Sequence, residues 1–335
     1  MFGKRYTLVA DIGGTNAKFA ILENDKFIFS KFFKCAEISR FEELLHQFLS
    51  LDEVKKFKIE KSCFSIAGPV SIDRSFARFT NLPWIVDLQE LQKYNIGKIL
   101  LINDFEAIGY AYDIMNTSQY VELSSLGRNG LGRASIIGAG TGLGTCMLIY
   151  QKGAHLPIQS EGGHTEIWIN PLNTLEVQLY KYFKTKNILL DNESILSGPG
   201  IINIYNFLLS KKLRHNKKIA IEIRKASFEN KPVLITKNAI EEKDYLCLKV
   251  LEMFIIFYAR IAKNLCINNL CSELVIAGGI APNILPLMQE SFIEAFTSHE
   301  RRYIRNMLEN TTVLVIIDRN IGLIGAANAQ KILKT

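Results

Sequence analysis

Several signatures are missing from the 335-residue sequence, and each absence removes a class of protein. No Gly-x-x-x-x-Gly-Lys-Ser/Thr run occurs, which excludes a Walker-type P-loop. The six cysteines, at positions 35, 63, 146, 247, 266 and 271, form no Cys-x-x-Cys pair and lie mostly in apolar stretches. They speak against a disulfide framework and for reduced core thiols in a cytoplasmic protein. The most apolar helix candidate, 245–270, is interrupted by Lys249, Glu252, Arg260 and Lys263, so no uncharged run is long enough to span a bilayer. Residues 1–7 carry no apolar stretch of the signal-peptide kind, and a soluble chain without membrane contact is expected. A one-signed charge field is absent too. The net charge of +7 comes from 40 Lys and Arg against 33 Asp and Glu, with local clusters only at 55–61, 211–218 and 301–305. No recognition motif accompanies them, so they read as solvated faces with a mild attraction for anionic substrates, and no nucleic-acid partner is expected. What the chain has in quantity is apolar residues, 48%, and length for two domains.

Glycine is where the sequence becomes specific. Asp11-Ile12-Gly13-Gly14-Thr15-Asn16 joins an apolar strand at 6–10 to a second at 17–22. Successive glycines let the backbone take positive φ and bring its N–H groups to a ligand, with Thr15 and Asn16 adding polar contacts. Phosphate suits such a cradle. Asp11 repels bare phosphate, which makes sense if Mg²⁺, a cation that prefers carboxylate, water and phosphate oxygens, sits between them. A plain Gly-Gly hairpin is the alternative. A second turn of the same design, Gly140-Thr141-Gly142-Leu143-Gly144, stands between strands at 134–138 and 146–150. It lacks the last glycine of a dinucleotide fingerprint and is followed by a strand instead of a helix. Two such turns suggest a duplicated fold holding one nucleotide from both sides.

The remaining candidates each carry two readings. A third strand at 26–33, a helix at 41–51 and a strand at 59–67 lead through Gly68-Pro69 and a β-rich stretch to Thr80-Asn81-Leu82-Pro83-Trp84. Asn81 suits a ligand contact or a loop satisfying its own backbone. The strand at 99–102 ends at Asn103-Asp104, before a helix at 105–112. Both are favoured helix caps, yet a carboxylate at the C-terminal end of a strand also lies where α/β sheets place ligands. In Glu161-Gly162-Gly163-His164 two glycines bring backbone close, and the mixed donors and acceptors suit sugar hydroxyls; one His and one Glu fall short of a metal site. Glu193, ahead of Leu196-Ser197-Gly198-Pro199-Gly200 and a helix at 201–209, could face a ligand or serve a cap. The Lys-rich helical stretch at 206–243 offers no chemistry, and 244–269 reads as a long buried helix. Strand 273–277 runs into Gly278-Gly279-Ile280-Ala281-Pro282, small residues that let a flat ligand lie on backbone. A strand at 312–317 precedes Ile321-Gly322-Leu323-Ile324-Gly325, which suggests close packing at a domain hinge.

Eight of these segments occur in one order: Asp11 to Ala17, Ile66-Ala67-Gly68-Pro69-Val70, Thr80 to Trp84, Ile102-Asn103-Asp104-Phe105, Gly138 to Gly144, Glu161 to His164, Leu196 to Gly200 and Ile276-Ala277-Gly278-Gly279-Ile280. Together they resemble the bacterial-type glucokinase family of the actin-like, hexokinase-like ATPase superfamily. The resemblance covers nearly the whole chain. It implies an α/β, two-domain actin-like ATPase (ribonuclease H-like) fold, with mixed sheets flanked by helices and a cleft between domains. A small domain of 1–113 plus 318–335 and a large one of 114–317 are expected. It also implies ATP- and Mg²⁺-dependent phosphorylation of D-glucose to glucose 6-phosphate, the opening step of glycolysis, by a cytoplasmic homodimer. Asp104 would be the general base; Asn81, Asn103, Glu161, His164 and Glu193 would join it in holding the sugar. Asp11, Gly13, Gly14, Thr15, Asn16, Gly140, Thr141 and Gly142 would hold phosphates, with Asp11 at the metal and Gly278 and Gly279 beside adenosine.

The sequence departs from that family's pattern in places. Lys18 stands where Arg is usual, which loses the planar fork; Thr145 replaces a small residue; Ile158-Gln159-Ser160 suggests a longer loop before Glu161; Asn320-Ile321 replaces Asn-Pro. Among rivals, the repressor-related sugar kinases often carry a cysteine-rich zinc motif after this Glu-x-x-His segment, whereas 167–190 has no cysteine. A transcriptional regulator needs a DNA-binding helix-turn-helix, and only ten residues precede the first turn. A non-catalytic nucleotide-binding scaffold would lack the sugar-facing set.

Overall fold

The computed structural model describes residues 4–124, 126–127 and 132–333. Two compact units form it: Met1–Gln119 with Leu148–Gln159 and Asp318–Thr335, and Tyr120–Met147 with Ser160–Ile317. Residues 148–159, inside the span expected for the large domain, thus belong to the first unit.

The first unit is built on strands β1 (Tyr6–Ile12), β2 (Asn16–Glu23), β3 (Lys26–Lys34), β4 (Ile59–Ile66) and β7 (Lys98–Asn103), in the order β3-β2-β1-β4-β7. The first three form an antiparallel meander, closed between β2 and β3 by Asn24 and Asp25, both at positive φ as a tight hairpin requires. Parallel pairing of β1 with β4 demands a crossover, supplied by helices α1 (Phe41–Leu49) and α2 (Asp52–Lys55). Phe41, Leu44, Leu45 and Phe48 recur at helical spacing and are all buried, which seats α1 on the sheet. Strands β5 (Phe76–Arg78) and β6 (Ile85–Asp87) make a separate ribbon ahead of α3 (Leu88–Gln92). Helix α4 (Asp104–Ala111) follows β7 directly. The terminal helix, α12 (Ile321–Ile332), packs against α4, and Gly325 brings the two backbones together: a Cβ there would stand 1.7 Å from the Ala107 carbonyl oxygen.

The second sheet has the order β11-β10-β9-β12-β13-β8, from β8 (Tyr120–Glu122), β9 (Ala134–Ala139), β10 (Leu143–Gln151), β11 (Ala154–Ser160), β12 (Glu273–Ala277) and β13 (Thr312–Ile316). Strands β9, β12 and β13 run parallel and are buried throughout, which is why they read as unbroken apolar runs. The second unit's helices are α5 (Thr174–Thr185), α6 (Gly198–Ser210), α7 (Lys217–Lys225), α8 (Asn230–Ile240), α9 (Tyr245–Asn269), α10 (Ala281–Thr297) and α11 (Arg302–Glu309). The stretch expected as one polar helical region resolves into α7 and α8. Helix α9 is buried on more than one face, through Leu246, Val250, Phe254, Phe257 and Tyr258. Pro282 lies in the first turn of α10, where its missing N–H costs nothing. Ile158-Gln159-Ser160 is not a lengthened loop: it ends β11, where Gln159 Nε2 donates to the Val70 carbonyl at 3.1 Å. Among the described residues, no helix is long and apolar enough to cross a membrane.

The Gly325 contact has a measurable consequence. Gly325→Ala forces α12 away from α4 and should cost about 1–3 kcal/mol of stability, read as a lowered urea midpoint at unchanged slope.

Candidate active site

Strand β1 continues to Ile12, so Asp11 sits within it, opposite Lys18 on β2. Its carboxylate is half-buried. Ser65 Oγ on β4 donates to Oδ1 at 3.3 Å, and a Cβ on Gly322 of α12 would stand 2.4 Å from Oδ2. Burial pushes this carboxyl up to about 6, with the Ser65 hydrogen bond and the Lys18 ammonium opposing the shift. Lys18 Nζ in turn donates to Asn320 Oδ1 at 2.5 Å, so one departure from the family pattern is partnered by the residue just before another, Ile321. The turn itself closes by Gly13 N–H to the Asn16 carbonyl, 2.9 Å, and Cys35 N–H donates to the Thr15 carbonyl at 2.9 Å. Neither Gly13 nor Gly14 takes positive φ, contrary to expectation; the hairpin reverses without it.

At the end of β7 the cap and the candidate base prove to be different residues. Asn103 is the cap: Oδ1 accepts from the N–H groups of Phe105 at 2.9 Å and Glu106 at 3.1 Å, while Glu106 Oε2 accepts the Asn103 N–H at 3.3 Å. Asn103 Nδ2 donates to the Gly68 carbonyl at 3.0 Å, so its buried side chain is held from both ends. Asp104, half-buried, is the first helical residue, and its Oδ1 accepts the Phe105 N–H at 3.0 Å. Gly68 also connects this point to the Asn81 loop. Its neighbour Ala67 accepts the Thr80 N–H at 3.0 Å, and a Cβ on Gly68 would lie 2.1 Å from the Arg78 carbonyl. Asn81 itself is exposed. Behind the cap, Arg74 grips Glu106 bidentately at 3.0 and 2.5 Å and donates to the Leu101 carbonyl at 3.0 Å. Neither residue stood out in the sequence; the Asn-x-x-Glu spacing of the capping box was the available signal.

In the second unit the turn at 140–142 meets three other segments. Gly140 N–H donates to the Gly142 carbonyl at 2.8 Å, and the Gly140 carbonyl accepts the Gly198 N–H at 2.8 Å, which sets the turn against the first residue of α6. A helix N-terminus favours an anion there. Glu193 Oε2 accepts the Leu143 N–H at 2.8 Å, and Glu193 N–H donates to the Gly163 carbonyl at 2.9 Å, binding the Glu193 segment to both the turn and the Glu161–His164 segment. A Cβ at Gly163 would stand 2.1 Å from the Leu143 carbonyl. Glu161 and His164 are exposed, with His164 Nε2 3.9 Å from Glu161 Oε2 and Nδ1 3.4 Å from Asp191 Oδ2. Burial raises the Glu161 carboxyl above its ordinary value; His164 lowers it and Glu193 raises it further. Asp191 was not evident in the sequence: it holds Ser194 through both N–H and Oγ, at 2.9 and 2.7 Å, while facing His164.

The glycines separate by cause. Gly278 takes φ +83° and a Cβ would lie 2.4 Å from the Ala139 carbonyl, so the fold needs it. At Gly140 and Gly279 the φ is ordinary and a Cβ would meet nothing within 4 Å. Open space above both positions, without a folding reason for glycine, suits a ligand lying on the backbone. Of the expected residues, the first unit therefore gathers Asp11, the first turn, Asn81, Asn103 and Asp104; the second gathers the 140–142 turn, Glu161, His164, Glu193, Gly278 and Gly279.

A family model described as glucokinase matches residues 8–332. The glucokinase of Nostoc sp. is 36% identical, with 96% of this chain and 97% of the relative covered. Among solved structures, a glucokinase from Balamuthia mandrillaris in complex with glucose is similar at a TM-score of 0.81 and 23% identity, covering 98% of this chain and 94% of that one. A ROK family glucokinase from Streptomyces griseus in complex with glucose and AMPPNP is similar at a TM-score of 0.67 and 16% identity, covering 97% and 98%. At those identities the structural likeness establishes the fold, the two-domain actin-like ATPase architecture.

Two outcomes are expected from the geometry. Asp11 has a native carboxyl raised above its unfolded value of about 3.9, so ionisation favours the unfolded chain as pH climbs from about 4 through 6. Asp11→Asn in ligand-free protein should be more stable than the parent by roughly 2 kcal/mol at pH 8, with the gap closing below pH ~4. Denaturant melts at both pH values measure it. Gly140→Ala and Gly279→Ala should leave the thermal midpoint within a degree or two of the parent while weakening nucleotide binding by calorimetry; Gly278→Ala should lower the midpoint itself.

Proposed function

The chain belongs to the glucokinase family of sugar kinases, and from that membership we propose that it transfers the γ-phosphoryl group of ATP to the 6-hydroxyl of D-glucose, with Asp104 as general base. The observation that carries the assignment of the base is the division of labour at the end of β7. Asn103 takes over the capping of α4 and leaves Asp104 at the first helical position, on a helix end that is held in place. The substrate hydroxyl gives its proton to the Asp104 carboxylate as its oxygen bonds to phosphorus and the bond to ADP breaks. Phosphoryl transfer asks mainly for positioning and charge stabilisation, so one well-placed base suffices.

The sugar's other hydroxyls are assigned to Glu161, His164 and Glu193, with Asn81 and the remaining amide proton of Asn103. Carboxylates accept from hydroxyls and His164 donates or accepts, the mixture a polyol needs. Glu193 also braces the Leu143 N–H, so sugar and phosphate turn are held by one side chain. Phosphates are assigned to the backbone of Gly13 to Asn16 and of Gly140 to Gly142, the latter beside the N-terminus of α6, and adenosine to the open face at Gly278-Gly279. Mg²⁺, when bound with the nucleotide, would supply positive charge that offsets the phosphate oxygens. The residues present fit it: Asp11 offers one half-buried carboxylate, which the Ser65 hydroxyl and the Lys18 ammonium compensate only in part. A single carboxylate suits a metal held mostly by water and phosphate. A homodimer is inferred from the family resemblance.

The assignment is tested by a coupled assay of ADP release with Mg²⁺-ATP against glucose, mannose, fructose, N-acetylglucosamine and N-acetylmannosamine. Glucose should be turned over well above the rest; a preference for the acetylated sugars would retain the base but overturn the substrate. Asp104→Asn should lose ~10²- to ~10⁴-fold in kcat while glucose still binds by calorimetry. Near-normal turnover in that variant would remove Asp104 from the role.

A further inference from the structure

Thr145 lies on β10, just beyond the turn at 140–142, and is 2% exposed. Its hydroxyl oxygen is fully buried and has no hydrogen-bond partner, a condition shared among the described residues only with Gln330 Oε1 in the first unit. Leaving a buried hydroxyl unbonded is costly, so such an atom in a native fold asks for a reason. Thr145 is also one of the positions at which the sequence departs from the family pattern.

The hydroxyl sits against the segment assigned to the sugar. A Cβ built on Gly162 would stand 2.5 Å from Thr145 Oγ1 and 3.3 Å from Ser160 Oγ, so two hydroxyls flank one face of this glycine. The other polar groups around it are bonded. Ser160 Oγ accepts the Gly162 N–H at 3.1 Å, the Gly162 carbonyl accepts from Thr165 Oγ1 at 2.8 Å, and Asn192 Nδ2 donates to that Thr165 oxygen at 2.7 Å. The Glu161 carbonyl takes the His164 N–H at 3.0 Å. A hydroxyl oxygen accepts twice and donates once, so Ser160 keeps one acceptor site and its own proton. Ser160 is half-buried at the end of β11, which leaves that proton within reach of a ligand, whereas the buried Thr145 hydroxyl is within reach of none. Branching at Cβ stiffens Thr145, and the unbranched Ser160 turns more freely, so Ser160 is the partner that moves.

We propose that Thr145 and Ser160 form a hydroxyl pair that closes on the sugar: Ser160 donates its proton to a sugar oxygen, and in the rotamer this fixes, its oxygen accepts from Thr145. Ser160 then touches substrate, and Thr145 is a positioning residue behind it. The inference rests on the assignment of the sugar to the Glu161–His164 segment. A hydroxyl unbonded without sugar and bonded with it destabilises the free chain and strengthens sugar binding by the same amount.

Glucose titrated calorimetrically into the parent chain tests the sugar assignment by itself: no binding there overturns that assignment and this inference with it. Thr145→Val keeps the volume and deletes the hydroxyl. It should raise the sugar-free thermal midpoint by roughly 1–3 °C and yet weaken glucose about fivefold, two changes of opposite sense that a purely structural hydroxyl does not produce. KM for glucose should rise by a similar factor while KM for ATP stays put. Thr145→Ser, which retains the hydroxyl, should bind glucose within about twofold of the parent. Ser160→Ala should weaken glucose about tenfold, and adding Thr145→Val to it should weaken glucose no further, because the bond between the two is already lost. With glucose bound by the parent, a lowered sugar-free midpoint in Thr145→Val, an unchanged glucose affinity in that variant, a rise in its KM for ATP instead, or additive losses in the double variant would each overturn the pairing alone.

Discussion

One amide side chain sets the geometry of the first unit. Asn103 accepts two helix N–H groups and donates to the Gly68 carbonyl, and each of these bonds fixes something different. The accepted pair starts α4 at Asp104; the donated bond ties that start to a loop whose glycine lies against the Arg78–Thr80 backbone and so reaches the Asn81 segment. Glu106 closes the cap and is itself clamped by Arg74, a half-buried pair in which loss of one partner would strand a nearly buried charge. The carboxylate beside this cap therefore rests on an anchored helix end, not on a mobile loop, which is the condition for placing a proton acceptor to within a fraction of an ångström.

The second unit solves its problem through backbone instead. Its polar segments meet at main-chain groups: Gly140 with Gly198, Gly163 with Glu193, Leu143 with the Glu193 carboxylate. Where two such chains press together a Cβ has no room, which accounts for Gly163 and Gly278, whereas at Gly140 and Gly279 an added Cβ would meet nothing within 4 Å. The first kind carries the architecture; at the second, folding does not call for glycine.

Much of this was legible in the sequence. The fold class and the order of the motifs were evident, as were strands β1, β2, β4, β9, β12 and β13 and helix α9, because buried parallel strands and a long amphipathic helix leave strong apolar patterns. Short edge elements such as β8 left none, and β11 was taken in part for loop because its successive exposed residues Ile158 and Gln159 break alternation. At Asn103-Asp104 the residue types alone could not say which one caps the helix, since both suit that role; the hydrogen bonds, which depend on the side-chain rotamer, identify Asn103. Arg74, Asp191 and the partnership of Lys18 with Asn320 were invisible because each joins residues far apart in sequence or uses an ordinary surface residue type.

Gly322 seats α12 on Asp11, and Gly325 seats it on the helix that bears Asp104. Both contacts join α12 to a strand and a helix far from it in sequence. Pairings of that kind close long loops, whose entropy is lost before any contact rewards it. The cover over β1 and α4 is thus a late event of folding, while neighbours in sequence such as α7 and α8 can meet early.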